Sequence, residues 1–450
     1  ITVALSSVIE GIVDNDGGTN NHNISNNSIR NISGSDGSIT AILSNFGGNS
    51  GGDGNLIANN SIENISSAGV LTGIRLPNNS NNSKVIQNSI TGLSTTGSTL
   101  TGILSESLNL SLIQKNKICN LQITNSGGTL QGITINTSTN AIVSNNLIGD
   151  LRAPLSNFNN AISGIGVNST GASEIYFNTI QISASSSGST FGTSAISLAS
   201  GAQFTLRNNI FHNTSVPNGI GLTVALRKVG TSLTGYNSLS NNNLFYAGTP
   251  GANRFIYYDG TNSDQTLATF KARVTPREQV SVTENLLTAP AFISTSCGTT
   301  SFLHIYPSVS TLIYRAGTII AGITDDFDGN PRHPSTPDLG ADEFSNNGSD
   351  FNPPAITYSP LSSICSFGLI NQTVSAVISD SSGVPISGSN VPRIYFKKNF
   401  NGAYSSLPGI LVSGNSQNGN WNFNFPVNVT VGDTVYYYLI AQDSLPVPPS

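Results

Sequence analysis

Charge is what this sequence has least of. Lys, Arg, Asp and Glu make up 9% of its 450 residues, against about a quarter in an ordinary soluble domain. There is no Met, and only one Trp and three Cys. A net charge of -5 gives no basic footprint, which excludes nucleic acid as the expected partner. No apolar run approaches the length of a membrane span. Cys119, Cys297 and Cys365 lie far apart without metal-ligand spacing. They read as buried structural thiols, and their odd number leaves at least one unbridged. The chain starts at Ile1 with no signal peptide and ends in a Pro-rich run, Pro446, Pro448 and Pro449. It is therefore expected to be a processed piece of a longer protein.

What is there is Gly, Ser, Thr and Asn around a 37% hydrophobic content. Such a composition suits either disorder or a stack of short strands and tight turns. Regular apolar positions decide for the stack. Asn-x-Ile/Leu recurs from Asn27, Asn60, Asn88, Asn116, Asn146, Asn178, Asn208 and Asn242, a period of roughly thirty residues. A second series, Ile12, Ile42, Ile74, Ile103, Ile133, Ile165 and Ile196, runs half a period away and often follows Gly. Short alternating runs such as Ile57, Asn60, Ile62 and Ile65 are strands, and β-branched residues with Gly in every window argue against helices. Two strands per coil are expected. Asn tolerates the left-handed conformation of a sharp bend, and stacked Asn side chains can hydrogen-bond between coils. The Asn series therefore reads as a structural ladder.

The fold class is accordingly all-β: a right-handed parallel β-helix of about eight to nine coils, then a β-sandwich. The β-helix spans 1–262, a closing or capping segment 263–349, and the sandwich 350–450. Composition shifts at Asn352-Pro353-Pro354, and alternating runs follow at 373–378, 393–396, 421–425 and 435–441. Turn signals at roughly ten-residue spacing separate them. The Tyr436-Tyr437-Tyr438 cluster either stacks on sugars or serves strand packing.

Asp326-Phe327-Asp328-Gly329-Asn330-Pro331-Arg332, followed by Asp338-Leu339-Gly340-Ala341-Asp342-Glu343-Phe344, resembles the closing signature of secreted parallel β-helix surface proteins of Bacteroidetes and their relatives. Gly432 to Tyr438 resembles the late strands of immunoglobulin or fibronectin-III modules in such proteins. The resemblance implies a protein secreted from, or held on the outer surface of, a Gram-negative bacterium. It also implies type IX secretion and outer-membrane attachment machinery as partners. The acidic residues admit two readings. Asp326, Asp328 and Asp338 supply oxygens for calcium, or Arg332 pairs with Asp338 or a neighbour in a plain cap. The run Asp14-Asn15-Asp16-Gly17-Gly18 reads as turn chemistry or, less simply, a metal loop.

No catalytic constellation stands out. Glu63 falls one coil above Arg30 on the outer surface, which reads as a coil-to-coil ion pair. His212 reads as a surface turn residue. Ice binding would want threonine recurring in register, and none is evident. The expected function is a non-enzymatic secreted or cell-surface module, adhesin-like or contacting glycans or another cell-surface ligand. The alternative is a carbohydrate-active enzyme, a polysaccharide lyase or glycoside hydrolase. Fold alone does not decide between them.

Overall fold

A computed structural model describes all residues except 1, 4–7, 16–21, 36, 46–53, 79, 108, 110, 139, 289–290, 308–310, 345–352, 365–366, 381–382 and 443–450. Cys365, Asp16 to Gly18, Asn352 and the Pro-rich run 446–449 thus lie outside the described residues. The chain forms two compact units. One holds 1–306 and 310–344, the other 345–450 with 307–309. The first is a parallel β-solenoid of about 8 turns, and antiparallel sheets follow it.

Each coil carries three strands rather than two. One full coil shows how. Lys84–Ile86 belongs to a seven-stranded sheet, Ser89–Thr95 to a nine-stranded sheet and Thr99–Ser105 to a ten-stranded sheet. The apolar series stack in register. In the nine-stranded sheet Ile62, Ile90, Ile118 and Ile148 are successive partners. In the ten-stranded sheet Ile42, Ile74, Ile103, Ile133, Ile165 and Ile196 are successive partners. Ile57, Val85, Ile113, Val143 and Ile175 form the third row. Sequence periodicity merges this third row with the ladder strand, because only two residues, the bend residue and the ladder asparagine, separate them.

That bend residue has positive φ in every coil. It is Asn26, Asn59, Gln87, Lys115, Asn145, Phe177, Asn208 and Asn242 in turn. The left-handed corner therefore falls one residue before the ladder asparagine, not on it. A second left-handed row, Asn31, Asn64, Gly92, Asn120 and Asp150, kinks the nine-stranded sheet. The kink explains why residues three apart, such as Ile62 and Ile65, are both fully buried. In the ten-stranded sheet a Cβ on Gly102 would lie 2.6 Å from the Gly132 carbonyl oxygen. Glycine before the isoleucine is thus a close-approach requirement there.

The ladder runs through Asn27, Asn60, Asn88, Asn116, Asn146, Asn178, Asn209 and Asn243. The last two are shifted by one from the Asn208 and Asn242 expected from sequence. Asn88 Nδ2 and main-chain N–H both donate to Asn116 Oδ1, each at 3.0 Å. Asn116 donates likewise to Asn146 Oδ1. From Asn60 onward each Nδ2 also donates to a carbonyl of the preceding coil, as Asn116 does to Val85. All four hydrogen-bonding positions of a buried amide are thereby used. At the far end, Asn243 Nδ2 donates to Glu278 Oε2 and its N–H to Ser281 Oγ, each at 2.9 Å. The fully buried Glu278 also accepts from the Tyr236 hydroxyl at 2.6 Å. Burial raises the Glu278 pKa, while its hydrogen bonds oppose the shift.

Helix α1 (Leu267–Val274) packs at this end, with Phe270 and Val274 buried. Phe270 meets Phe245 at 5.3 Å and Tyr257 at 5.2 Å. The Thr266 side chain caps its first turn by accepting from Thr269 N–H.

The chain then returns along the outside of the nine-stranded sheet. Leu286 N–H reaches His212, and Phe302 and Leu303 lie against Gly149. Lys117 Nζ donates to the Thr299 carbonyl at 2.9 Å. Cys119 and Cys297 form a disulfide. The reading of these two as buried structural thiols is therefore corrected to a disulfide pair. Their separation of 178 residues hid the pairing, because only this return path brings them together.

The second unit has a four-stranded sheet of Ala355–Tyr358, Gly368–Ser379, Asn418–Val429 and Ile410–Gly414, in that order. A three-stranded sheet comprises Ser405–Pro408, Arg393–Lys398 and Val435–Ile440. All their pairings are antiparallel. Trp421, Phe423, Phe425, Ile378 and Ile394 form the core.

Replacing Asn116 with Leu should destabilise the solenoid by several kcal/mol, because it strands donors of Asn88 and the Asn146 acceptor in a dry stack. Replacing the exposed Asn109 with Leu should cost well under 1 kcal/mol. Denaturant midpoints of the two variants test this, and equal midpoints would remove the ladder from the stability argument.

Candidate functional site

The acidic motifs of 326–343 work mainly as turn builders. Asp326 is fully buried and spends both oxygens on its own loop and on the Glu343 main chain. It accepts from the main-chain N–H of Asp328, Asn330 and Glu343 at 2.8 to 3.0 Å, and from Asn330 Nδ2 at 3.3 Å. Asp338 accepts from Arg315 N–H at 2.6 Å and Phe344 N–H at 2.9 Å. Burial pushes the Asp338 carboxyl up to about 7. Of the three residues read as calcium ligands, Asp326 and Asp338 thus face main-chain donors, and Asp328 turns elsewhere. Its Oδ2 lies 2.6 Å from His304 Nε2.

Arg332 does not pair with Asp338. Its Nη1 donates to Glu343 Oε2 at 3.1 Å. Its Nη2 donates to Asn145 Oδ1 and the Gly340 carbonyl. The guanidinium lies 4.1 Å from the centre of the Phe177 ring. Asn145 and Phe177 are left-handed corner residues of two successive coils. Nearby, Lys115 Nζ donates to Asp325 Oδ2 at 2.7 Å, Asn208 Nδ2 to the Thr318 carbonyl and Asn242 Nδ2 to the Ala316 carbonyl. The segment therefore runs along the row of corners, clasping five coils from the side. Gly340, at φ +90°, has no room for a side chain: a Cβ would sit 2.5 Å from Ile210.

His304 and Asp342 complete the cluster. One ligand atom each from His304, Asp328 and Asp342 lie within 4.8 Å of one another. Burial alone would lower the His304 pKa. The Asp328 hydrogen bond and the Asp342 charge override it, raising the group to about 9. The sequence places Asp342 in the acidic cluster without singling it out as a ligand, and His304 lies outside the acidic motifs.

On the solenoid wall three carboxylates are held by cations. Arg75 donates to Glu106 at 2.9 Å, Arg273 grips Asp264 through two nitrogens, and Arg152 lies 3.3 Å from Asp150. Arg30 and Glu63 are register partners as expected. Asp14 is buried, accepting from Asn55 Nδ2 at 2.6 Å with His22 Nδ1 at the same distance. It is a structural acceptor there. A recess of about 470 Å³ at Ser200–Gln203 and Lys228–Gly235 carries no carboxylate in its lining. Threonine does recur in register, Thr40 with Thr72 and Thr72 with Thr101. Thr72 and Thr101 are nonetheless buried and form no exposed threonine face.

The sandwich carries an open aromatic face. Val435–Ile440 alternates so that Tyr437 turns to the core while Tyr436 and Tyr438 remain exposed, at 40% and 39%. Tyr395 is the register partner of Tyr438, and Lys397 that of Tyr436. The Tyr395 and Tyr438 rings stack at 5.2 Å, and Tyr404 meets Tyr438 edge-on at the same distance. Lys397 Nζ lies 4.8 Å from the Tyr404 ring centre and 5.5 Å from that of Tyr436. Among the described residues, none donates to or accepts from the hydroxyls of Tyr395, Tyr404, Tyr436 and Tyr438. A cleft of about 650 Å³ in the same unit is lined by Leu361, Ile364, Phe367, Ile370, Val431 and Tyr437 among others. Its Asp433 is committed to Asn399 and Thr430, whose hydrogen bonds hold that carboxyl below its usual range.

His212 is fully buried in Ile210–Asn213, not on a surface turn. It stacks on Tyr246 at 5.0 Å beneath the returning chain, and Nε2 accepts from Leu286 N–H at 3.2 Å. Its Nδ1 has no partner among the described residues. Burial lowers its pKa to about 4. The folded protein holds the ring neutral, whereas the unfolded chain protonates it below about 6.5. Stability from this group is full above pH 6.5 and is lost as pH falls towards 4, by up to roughly 3 kcal/mol. Buried Asp338 and Asp342, with raised pKa values, act in the opposite direction. They are common to wild type and His212→Gln, so the difference between the two isolates the ring. Wild type should lose stability relative to the variant between pH 7 and pH 4.5 in denaturant titrations. A constant difference would show that the ring is not held neutral. Compared with known proteins, the sequence matches no family model and no curated protein.

Proposed function

We propose that this chain is a non-enzymatic, exported surface module that contacts glycans through the aromatic face of its sandwich. The carrying observation is the grouping of Tyr395, Tyr404, Tyr436 and Tyr438 around Lys397, with phenol hydroxyls that have no partner among the described residues. Sugar rings present an apolar C–H face and a rim of hydroxyls. Tyrosine offers a matching apolar face and a polar tip. The Lys397 ammonium, which donates to the Phe400 carbonyl, and the Arg393 guanidinium, which donates to Ser406, place two cations on the same strand. A large exposed aromatic group is itself a feature that soluble surfaces seldom carry without use.

Two further observations support export. The Cys119–Cys297 disulfide suits an oxidising compartment. The low charge and the ladder suit a rigid scaffold whose job is to present rather than to react. Bacterial surface display by type IX secretion is the part of this reading that rests on motif resemblance alone.

The experiment is affinity electrophoresis through gels containing neutral and acidic polysaccharides, paired with assays for new reducing ends and unsaturated products. Retardation on at least one glycan without cleavage is the expected result. Tyr438→Ala and Tyr436→Ala should each weaken retardation about tenfold, the size of losing one well-packed aromatic contact. Cleavage would instead establish the carbohydrate-active enzyme. Retardation unchanged in both variants would move the glycan contact away from this face.

A further inference from the structure

The returning segment gathers three groups that neither the ladder nor the aromatic face uses. His304 Nδ1 lies 3.0 Å from the Phe302 carbonyl oxygen, an acceptor, so this nitrogen carries hydrogen. Its Nε2 points at Asp328 Oδ2, 2.6 Å away. In the neutral ring both of those atoms bear lone pairs, and at that distance they repel unless a proton or a metal cation lies between them.

Asp342 is the third group. It is 6% exposed, and its Oδ2 accepts from Ile305 N–H at 2.6 Å. Among the described residues no donor reaches its other oxygen. That oxygen is not sealed from solvent, so it is open to a bound cation. The frame around it is well fixed. Phe327 N–H donates to the Ala341 carbonyl at 2.8 Å, which binds the loop of Asp328 to the segment of Asp342. Ile293 N–H donates to the His304 carbonyl at 2.8 Å, and the Phe327 ring stands edge-on to the imidazole at 6.1 Å.

We infer that His304, Asp328 and Asp342 form a binding site for zinc, tying the returning chain to the closing Asp-rich loop. The donor set chooses the metal. Calcium takes six to eight oxygens and avoids imidazole, whereas one imidazole nitrogen with two carboxylates suits a first-row divalent ion. The Nδ1–H to carbonyl contact is the orienting bond that metal-bound histidines ordinarily make. Three protein ligands leave a position for water. This assignment shares only Asp328 with the calcium reading, since Asp326 and Asp338 have main-chain donors on both oxygens.

A simple imidazolium held by two carboxylates is the competing description, and titration calorimetry separates them. The full chain, stripped with chelator, is titrated with zinc chloride and, separately, calcium chloride at pH 7.5. One zinc per chain with micromolar or tighter affinity, and no heat from calcium, is expected. Asp328→Asn lies at a largely exposed side chain and should keep the fold while weakening zinc at least tenfold. His304→Ala should abolish binding. Absence of zinc binding would leave the imidazolium ion pair and overturn the site. So would a calcium preference, or zinc binding unchanged in Asp328→Asn.

Discussion

A buried amide that repeats once per coil, with all its donors and acceptors spent along the stack axis, is the constraint from which the solenoid follows. A coil must turn sharply between its short strands, and a sharp turn leaves main-chain groups that no sheet satisfies. The ladder asparagine answers this with one side chain. Its Oδ1 takes the N–H and Nδ2 of one neighbour, and its own Nδ2 reaches the next. Because each amide serves two coils, removing one leaves both neighbours unsatisfied. The ladder must also end somewhere without stranding a donor. Glu278 and Ser281 provide that end, at the cost of burying a carboxylate among Tyr236, Asn243 and Ser281.

The second constraint is the chain's return along the outside of its own stack. The outward row of the nine-stranded sheet runs Arg30, Glu63, Thr91, Cys119, Gly149, Gln181, His212 and Tyr246 by register. Its character changes along the way. Charged and polar residues at the start give way to Cys119, Gly149, Gln181 and His212, all buried. The change marks where Phe302, Leu303 and Leu286 lie over the sheet. His212 is neutral and Gly149 lacks a side chain for the same reason: another layer of chain covers them.

Much of the first unit was legible because its physics is local and repeated. The Asn and Ile series, eight and seven members long, fixed the coil and most of the register. The slip at the last two rungs has a specific cause. Asn208-Asn209 and Asn242-Asn243 are doublets in which the first asparagine takes the left-handed corner and the second the ladder. The inward residues there are Phe211 and Phe245, so an Asn-x-Ile/Leu pattern finds the wrong asparagine. The Tyr cluster of the sandwich was legible as strand, and alternation sends only its middle member to the core. What was not legible was every contact made by the returning chain. The Cys119 disulfide, the burial of His212 and the meeting of His304 with Asp342 depend on non-local packing, for which the local sequence carries no period.

Repetition also explains where the chemistry lies. Equivalent residues on neighbouring coils sit about 4.8 Å apart, so a charge repeated in register meets its own kind on both sides. A solenoid wall can carry charge only as alternating signs or isolated residues. This one does so: Arg30 faces Glu63, and Arg75 on one coil reaches Glu106 on the next. The remainder is filled with Asn, Ser and Thr, which hydrogen-bond to their own kind, and the whole chain is only 9% charged as a result. Dense groups of ionisable residues must therefore come from sequence outside the repeat. The returning segment supplies them at His304, Asp328, Arg332, Asp342 and Glu343, and the sandwich supplies Arg393 and Lys397 beside its tyrosines. Low charge in the coils and concentrated chemistry beyond them are two consequences of one stacking rule.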